Sequence, residues 1–279
     1  MRLDIFPVLF AVIILSFPIC AAAGEAEYTG AGGGGAPVAT QTGPDIEALK
    51  AQAAAGKVRA MYLLGKAYDD GDGVTQDYVE AAKWYEMATD KNDLVAPGKL
   101  AVLLAKGQGV QQDYVRARTL FLISAQNGDR DSQMYLAFLL AGGIGGKKDY
   151  DGAATWFKRA AGAGSPVAQY NLAVLYDKGL GVPRNEESAM KWYRKAAEDG
   201  NSDAAFALGE AYFNGRGVGR DLIEAYAWLS FADAMGNSEA ATVRASISGA
   251  LTTKDLTKAQ MQFKTYLDAY GRQSESAEQ

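Results

Sequence analysis

Residues 168–200 read AQYNLAVLYDKGLGVPRNEESAMKWYRKAAEDG, and the fold of the whole chain follows from this stretch. At its centre, the turn Gly179-Leu180-Gly181 separates two segments whose apolar residues recur with helical spacing. The same pair of glycines returns every 36 residues, at Gly71/Gly73, Gly107/Gly109, Gly143/Gly145, Gly179/Gly181 and Gly215/Gly217. Because self-similarity at one fixed period is the signature of a repeat architecture, the sequence predicts five copies of one structural unit.

The segments on either side of the turn keep the same kind of residue at each position of the repeat. The first segment has an invariant leucine at Leu64, Leu100, Leu136, Leu172 and Leu208, followed by a small residue at Gly65, Ala101, Ala137, Ala173 and Gly209. The second segment has alanine at Ala81, Ala117, Ala153, Ala189 and Ala225, and a large residue at Trp84, Leu120, Trp156, Trp192 and Trp228. We expect these large side chains to be buried against the small residues of the other helix.

The ends of the predicted helices are also marked in every copy. Helix N-caps are predicted at Asp77, Asp113, Asp149, Asn185 and Asp221, because Asp and Asn accept hydrogen bonds from the free N–H groups of a first turn. Left-handed C-terminal residues are predicted at Asn92, Gly128, Gly164, Gly200 and Gly236. Each copy is therefore predicted to be a helix, a short turn and a second helix.

The combined pattern A-x-x-x-L-G/A-x-x-Y/L-x-x-G-x-G-V-x-x-D-x-x-x-A-x-x-W-Y-x-x-A-A resembles the Sel1-like repeat, a relative of the tetratricopeptide repeat. The resemblance covers about Val58 to Gly236. It implies an all-α fold, an α/α solenoid forming a right-handed superhelix. The five helix-turn-helix repeats are then 57–92, 93–128, 129–164, 165–200 and 201–236. Capping helices are expected at 45–56 and 237–271, since the end of a repeat array needs a polar outer surface, and 272–279 is a polar tail.

The N-terminus has the features of an export signal. Arg2 is followed by a mostly apolar run over 5–19, and small residues end at Ala23, where we expect cleavage after a signal peptide of residues 1–23. The alternative is an uncleaved membrane anchor, which the prolines within the run and its short length disfavour. Residues 24–44 are rich in Gly, Pro and Thr and are predicted to be a flexible linker. The expected location is therefore the periplasm or the exterior, with no membrane span after cleavage.

Composition disfavours several classes of function. The chain has no histidine, which removes the commonest general base and zinc ligand, and its single cysteine, Cys20, lies in the signal segment. We therefore expect no catalytic residue, metal, cofactor or disulfide. The 33 acidic and 28 basic residues are interspersed, so a nucleic acid partner is not expected.

The resemblance to cysteine-rich Sel1-like relatives implies an alternative function, that of a cell-wall-active or penicillin-binding, β-lactamase-like enzyme. Ser188 and Lys191 match the S-x-x-K motif of serine β-lactamases, but the S-D-N and K-T-G elements are missing. The repeat-bound disulfides of those relatives are missing too. We therefore expect Ser188 and Lys191 to be surface residues of a second helix.

The resemblance implies a scaffold or adaptor that binds a protein or peptide on its concave surface, for example in an envelope signalling or assembly system. In tetratricopeptide-like units the concave groove is lined by the position two residues before the invariant leucine. That position and its neighbours on the same helices give a hypothetical partner-binding stripe of Tyr62, Met134, Phe138, Tyr170, Phe206, Glu210 and Phe213. The alternative is that these side chains only pack against the first helix of the next repeat.

Overall fold

The structure, a computed structural model, describes residues 44–271, which contain thirteen α-helices and no β-strand. The predicted signal peptide, all but the last residue of the predicted linker and the polar tail lie outside these residues. The described chain forms two compact units, 44–148 and 149–271, called unit 1 and unit 2. The helices of unit 1 are α1 (Ile46–Ala54), α2 (Val58–Asp70), α3 (Tyr78–Asp90), α4 (Ala96–Lys106), α5 (Tyr114–Gln126) and α6 (Arg130–Gly142). Those of unit 2 are α7 (Tyr150–Gly162), α8 (Pro166–Lys178), α9 (Glu186–Glu198), α10 (Ser202–Asn214), α11 (Leu222–Ala234), α12 (Ala240–Ser248) and α13 (Thr253–Tyr270).

The predicted helix ends are confirmed. The Asp77 carboxylate accepts hydrogen bonds from the backbone N–H groups of Val79 and Glu80, at 2.9 and 3.1 Å. The same capping bond is made by the side chains of Asp113, Asp149, Asn185 and Asp221. Both glycines of every turn have positive φ, as do Asn92, Gly128, Gly164, Gly200 and Gly236. These local signals fix where each helix begins and ends, and hence which faces meet.

Within each unit, consecutive helices pack as pairs, with α2 on α3 and α4 on α5 in unit 1, and α8 on α9 and α10 on α11 in unit 2. The small position after the invariant leucine brings the pair close together. A Cβ atom added at Gly65 would lie 2.6 Å from the Tyr85 ring, and one at Gly209 would lie 2.6 Å from the Leu229 side chain. The first helix therefore packs its backbone directly against a large residue of the second.

The prediction that the tryptophan position fills the core is wrong in three of the five repeats. Trp84, Trp156 and Trp192 are half-buried, whereas Trp228 is fully buried. The residue that is buried in every repeat is the next one along the chain, namely Tyr85, Phe121, Phe157, Tyr193 and Leu229. Adjacent residues of a helix point about 100° apart, so only one of the two can face the partner helix directly. The tryptophan ring lies at the edge of that contact.

The C-terminal helix α13 explains why Trp228 is the exception. It packs on α11, and the Tyr266 ring stacks on the Trp228 ring with their centroids 4.1 Å apart. The Tyr266 hydroxyl donates a hydrogen bond of 2.7 Å to Glu224 of α11. The side chain of Thr252 caps α13. A helix with no counterpart in the preceding repeats thus covers the last apolar edge of unit 2.

The second glycine of each turn lies against the start of the preceding second helix. A Cβ atom at Gly109 would lie 2.2 Å from the carbonyl carbon of Tyr78 in unit 1, and one at Gly181 would lie 2.2 Å from that of Tyr150 in unit 2. No side chain fits in that space. At these turns the distance between consecutive repeats is therefore set by contact between main chains.

Candidate protein-interaction surface

The predicted binding residues of unit 1 lie mostly in the core. Tyr62 on α2 and Phe138 on α6 are each 4% exposed, and Met134 on α6 is half-buried. The Tyr62 ring lies 6.0 Å from the Tyr85 ring, and the Arg59 guanidinium lies 4.7 Å from the Tyr62 ring centroid. Tyr62 and Phe138 therefore expose little surface to a partner.

The predicted residues of unit 2 are more accessible and lie on two neighbouring first helices. Phe206, Glu210 and Phe213 follow each other at i, i+4 and i+7 on α10, so they share one face of that helix. Tyr170 occupies the corresponding position on α8, and the three rings pack on the edge of one apolar core cluster. All four side chains are half-buried. We call Tyr170, Phe206, Glu210 and Phe213 the aromatic-acidic face.

Tyr193 of α9 lies directly beneath the aromatic-acidic face. Its ring centroid lies 5.7 Å from that of Tyr170, and the residue is 4% exposed. Among the described residues its hydroxyl forms no hydrogen bond, and burial raises its pKa above the ordinary value, with further contributions from Asp177 and Glu210. The Tyr193 hydroxyl oxygen is not among the enclosed polar atoms that lack a partner, so a ligand can reach it and donate a hydrogen bond to it.

Asp177 on α8 does not satisfy that hydroxyl. Asp177 is 7% exposed, and its carboxylate lies 3.6 Å from Arg216 and 3.7 Å from Lys178. The ion pair with Arg216 links the end of α8 to the turn after α10. Two cations close to the aromatic-acidic face are therefore already neutralised in part by a buried carboxylate.

Glu210 is the charged member of the aromatic-acidic face. Burial raises the pKa of its carboxyl group, Glu239 adds to the increase, and Arg216 and Lys178 oppose it. Within the described residues the Glu210 carboxylate accepts no hydrogen bond and forms no ion pair. A half-buried carboxylate without a partner is destabilising relative to one in water.

Further carboxylates surround the Tyr170 hydroxyl. Burial raises the pKa of Tyr170 first, and Asp203, Glu210 and Glu239 raise it further. Negative charge favours the protonated phenol, so the three carboxylates act on it in the same direction. Asp203 and Glu239, which sequence reasoning missed, occupy equivalent positions 36 residues apart, three residues before Phe206 and Thr242. Comparing charge at that repeat position would have found them.

The residues of the S-x-x-K motif are arranged as surface groups of α9. The backbone N–H of Ser188 donates to the Asn185 cap at 2.8 Å, and the Lys191 ammonium lies 2.8 Å from the Glu187 carboxylate. In residues 44–271, no group of three or more Cys, Asp or Glu side chains is placed to hold a metal ion. In the same range, no helix has both the length and the apolar character needed to cross a membrane.

The model of the Sel1 repeat family matches the sequence five times, at residues 58–93, 99–129, 130–165, 166–201 and 202–237. These matches cover more than half of the chain. The chain belongs to the Sel1 repeat family. Proteins built from Sel1 repeats generally act as scaffolds for protein–protein interaction. None of the curated proteins with which the sequence was compared matches it.

Solved structures of several bacterial proteins resemble this one. A Sel1 repeat protein from Oxalobacter formigenes is 27% identical, with a TM-score of 0.67, over 78% of this chain and 90% of that one. The protective antigen c5321 of uropathogenic Escherichia coli is 25% identical, with a TM-score of 0.43, over 84% of this chain and 73% of that one. The immunity protein Pa5087 of Pseudomonas aeruginosa is 19% identical, with a TM-score of 0.42, over 80% and 84%.

Proposed function

We propose that this Sel1 repeat protein is an exported adaptor that binds a protein or peptide partner through its first helices, centred on the aromatic-acidic face of unit 2. The observation that carries the proposal is that Tyr170, Phe206 and Phe213 are half-buried at the edge of a core that the invariant leucines and alanines already fill. Rigid aromatic rings with one accessible side are typical anchors of protein interfaces.

The proposal is tested by a double substitution, Tyr170→Ser with Phe206→Ser. With the mature protein as bait in an envelope extract, we expect the wild type to capture a partner and the double variant to lose it. Its thermal midpoint should stay within a few degrees of the wild type, because anchor residues carry binding more than stability. A large loss of stability, with capture restored on cooling, would instead assign both rings to the core and contradict the proposal.

A matched control uses apolar side chains outside the aromatic-acidic face. Met261 and Leu267 of α13 are 67% and 38% exposed and belong to the same unit. Replacing both with serine removes a similar amount of apolar surface, and capture of the partner should be unchanged. If this control also abolished capture, general loss of apolar surface would explain the result.

The proposed location is the periplasm or the cell exterior, where an adaptor can serve an envelope signalling or assembly system. The proposal rests on the apolar N-terminal run and the small residues that end at Ala23. N-terminal sequencing of the extracytoplasmic protein should begin at or near Gly24. Recovery of an intact chain beginning with Met1 in the membrane fraction would support the anchor alternative.

A further inference from the structure

The aromatic-acidic face combines the three kinds of group that bind a cation. Glu210 supplies a half-buried carboxylate without a partner in the described residues, and the buried side chain of Tyr193 supplies a hydroxyl that forms no hydrogen bond there. The rings of Tyr170 and Phe206 supply π faces, which attract a positive charge within about 6 Å. The Phe213 ring already has the Arg220 guanidinium 5.9 Å from its centroid.

The charges around the face favour a cation over an anion. Asp203, Glu210 and Glu239 all act on the Tyr170 hydroxyl, and no basic residue is among the groups that perturb its pKa. Arg216 and Lys178, the basic residues that act on Glu210, both lie close to the buried Asp177 carboxylate. The carboxylates of α10 and of Glu239, at the start of α12, therefore make that side of the aromatic-acidic face negative.

We infer that the aromatic-acidic face binds a lysine or arginine side chain of the partner, an inference that rests on the proposed function and names the chemistry of what is bound. The cationic head donates hydrogen bonds to the Glu210 carboxylate and the Tyr193 hydroxyl, and the aliphatic stem lies along the Tyr170 and Phe206 rings. Charge-assisted hydrogen bonds and ring contacts together give such a site both strength and selectivity for positive charge.

The test uses the mature full chain and two capped peptides, one of alternating lysine and alanine and one of alternating glutamate and alanine. Isothermal titration calorimetry should detect the lysine peptide only, with affinity falling as salt is added. Glu210→Gln should weaken this binding about tenfold, because the amide oxygen can still accept a hydrogen bond but the attraction between opposite charges is lost. Tyr193→Phe should weaken it about fivefold for loss of the neutral hydrogen bond.

Glu187→Gln is the matched control, because Glu187 is an exposed carboxylate of α9 that pairs with Lys191. It removes the same charge from unit 2 and should leave the affinity unchanged. Circular dichroism should show that every variant melts within a few degrees of the wild type. A lysine peptide that does not bind at millimolar concentration, or that binds Glu210→Gln as well as the wild type, would overturn the inference.

The outcomes also separate this inference from the proposed function. If the Tyr170→Ser/Phe206→Ser variant loses partner capture but no lysine peptide binds, the adaptor function stands and the cation site does not. If Glu210 controls lysine-peptide binding but the double variant still captures the partner, the cation site stands and the proposed partner surface is wrong.

Discussion

Unit 1 and unit 2 place the same aromatic pair at the same repeat positions but differ in the charged groups near it. The Tyr62 and Tyr85 rings lie 6.0 Å apart at 42°, and the equivalent Tyr170 and Tyr193 rings lie 5.7 Å apart at 50°. The Arg59 guanidinium lies 4.7 Å from the Tyr62 ring centroid, whereas the equivalent position in the repeat of Tyr170 is Val167. The Tyr170 hydroxyl is instead affected by Asp203, Glu210 and Glu239, which come from the next repeat and the start of α12.

The difference shows which positions the repeat requires and which it leaves free. The geometry of the ring pair hardly changes between the units, whereas the charged groups near it differ without altering the pair. A second difference concerns the phenol groups. The Tyr85 hydroxyl donates a 3.1 Å hydrogen bond to Asp69, but the Tyr193 hydroxyl has no such partner in the described residues. The packing of the ring pair therefore stays constant between repeats while the polar and charged groups around it vary.

The largest loss of stability is expected for the buried second-helix ring of each pair, Tyr85 in unit 1 and Tyr193 in unit 2. Tyr85→Ala and Tyr193→Ala should each lower the free energy of unfolding by about 3–5 kcal/mol, because each empties a buried site. Trp84→Ala and Trp192→Ala should cost about 1–2 kcal/mol, because these rings are only half-buried and lose less apolar contact area. Chemical denaturation measures all four. Equal costs for the tryptophan and tyrosine variants would contradict the burial pattern.

The next effect concerns the small residue under the ring. Gly65→Ala places a Cβ atom 2.6 Å from the buried Tyr85 ring and should cost about 1–3 kcal/mol through overpacking. Unit 2 already has Ala173 at this position, so the reverse change Ala173→Gly should cost about 1 kcal/mol, mainly from helix propensity. Thermal unfolding compares the two. A stabilising Gly65→Ala variant would mean that the two units space their helices alike.

Removing the hydroxyl groups should affect the units differently. Tyr85→Phe deprives the half-buried Asp69 carboxylate of its hydrogen bond and should cost about 1–2 kcal/mol. Tyr193→Phe removes a group without a partner and should change stability by less than about 0.5 kcal/mol. Urea titration of both variants measures their free energies of unfolding. Equal losses in the two variants would mean that the hydrogen bond from Tyr85 to Asp69 makes no net contribution to stability.

The smallest effect is a pH dependence in unit 2. Burial raises the folded-state pKa of Glu210 above its unfolded value, so stability is lost as pH rises through the folded-state pKa. Glu210→Gln has no such loss. Its thermal midpoint should therefore gain on that of the wild type between about pH 4 and neutral pH, by no more than a few degrees. If the thermal midpoint of Glu210→Gln instead fell relative to that of the wild type as pH rises, the assignment of a raised pKa would be contradicted.

The period and the caps could be predicted because they depend on local rules that the sequence states five times. The C-terminal helices could be predicted because the end of a repeat array needs a polar outer surface. The buried aromatic position could not be separated from the tryptophan position. Counting from Ala81 and Ala88, which are both buried, Trp84 fits a spacing of i, i+3, i+7 and Tyr85 fits i, i+4, i+7. Both spacings lie on one side of a helix, and only packing distinguishes them.

The candidate site was predicted in part for a related reason. Helical spacing placed Phe206, Glu210 and Phe213 on one face, and the structure has them there. Spacing along one helix cannot reveal a partner on another, so Tyr193 and Glu239 were missed although they act on the same surface. The loss of exposure at Tyr62 and Phe138 likewise depends on neighbouring helices.

The close approach of each second turn glycine to the preceding main chain bears on how such an array can grow. Because backbone atoms set the spacing, an in-frame duplication of 36 residues carries its own docking geometry with it. The new copy needs no compensating change in its neighbours, and its surface can then diverge in charge at once. A mutation that adds a methyl group at Gly109 or Gly181 would instead push adjoining copies apart. Substitution of these glycines should therefore be tolerated less well than the exchange of surface charges.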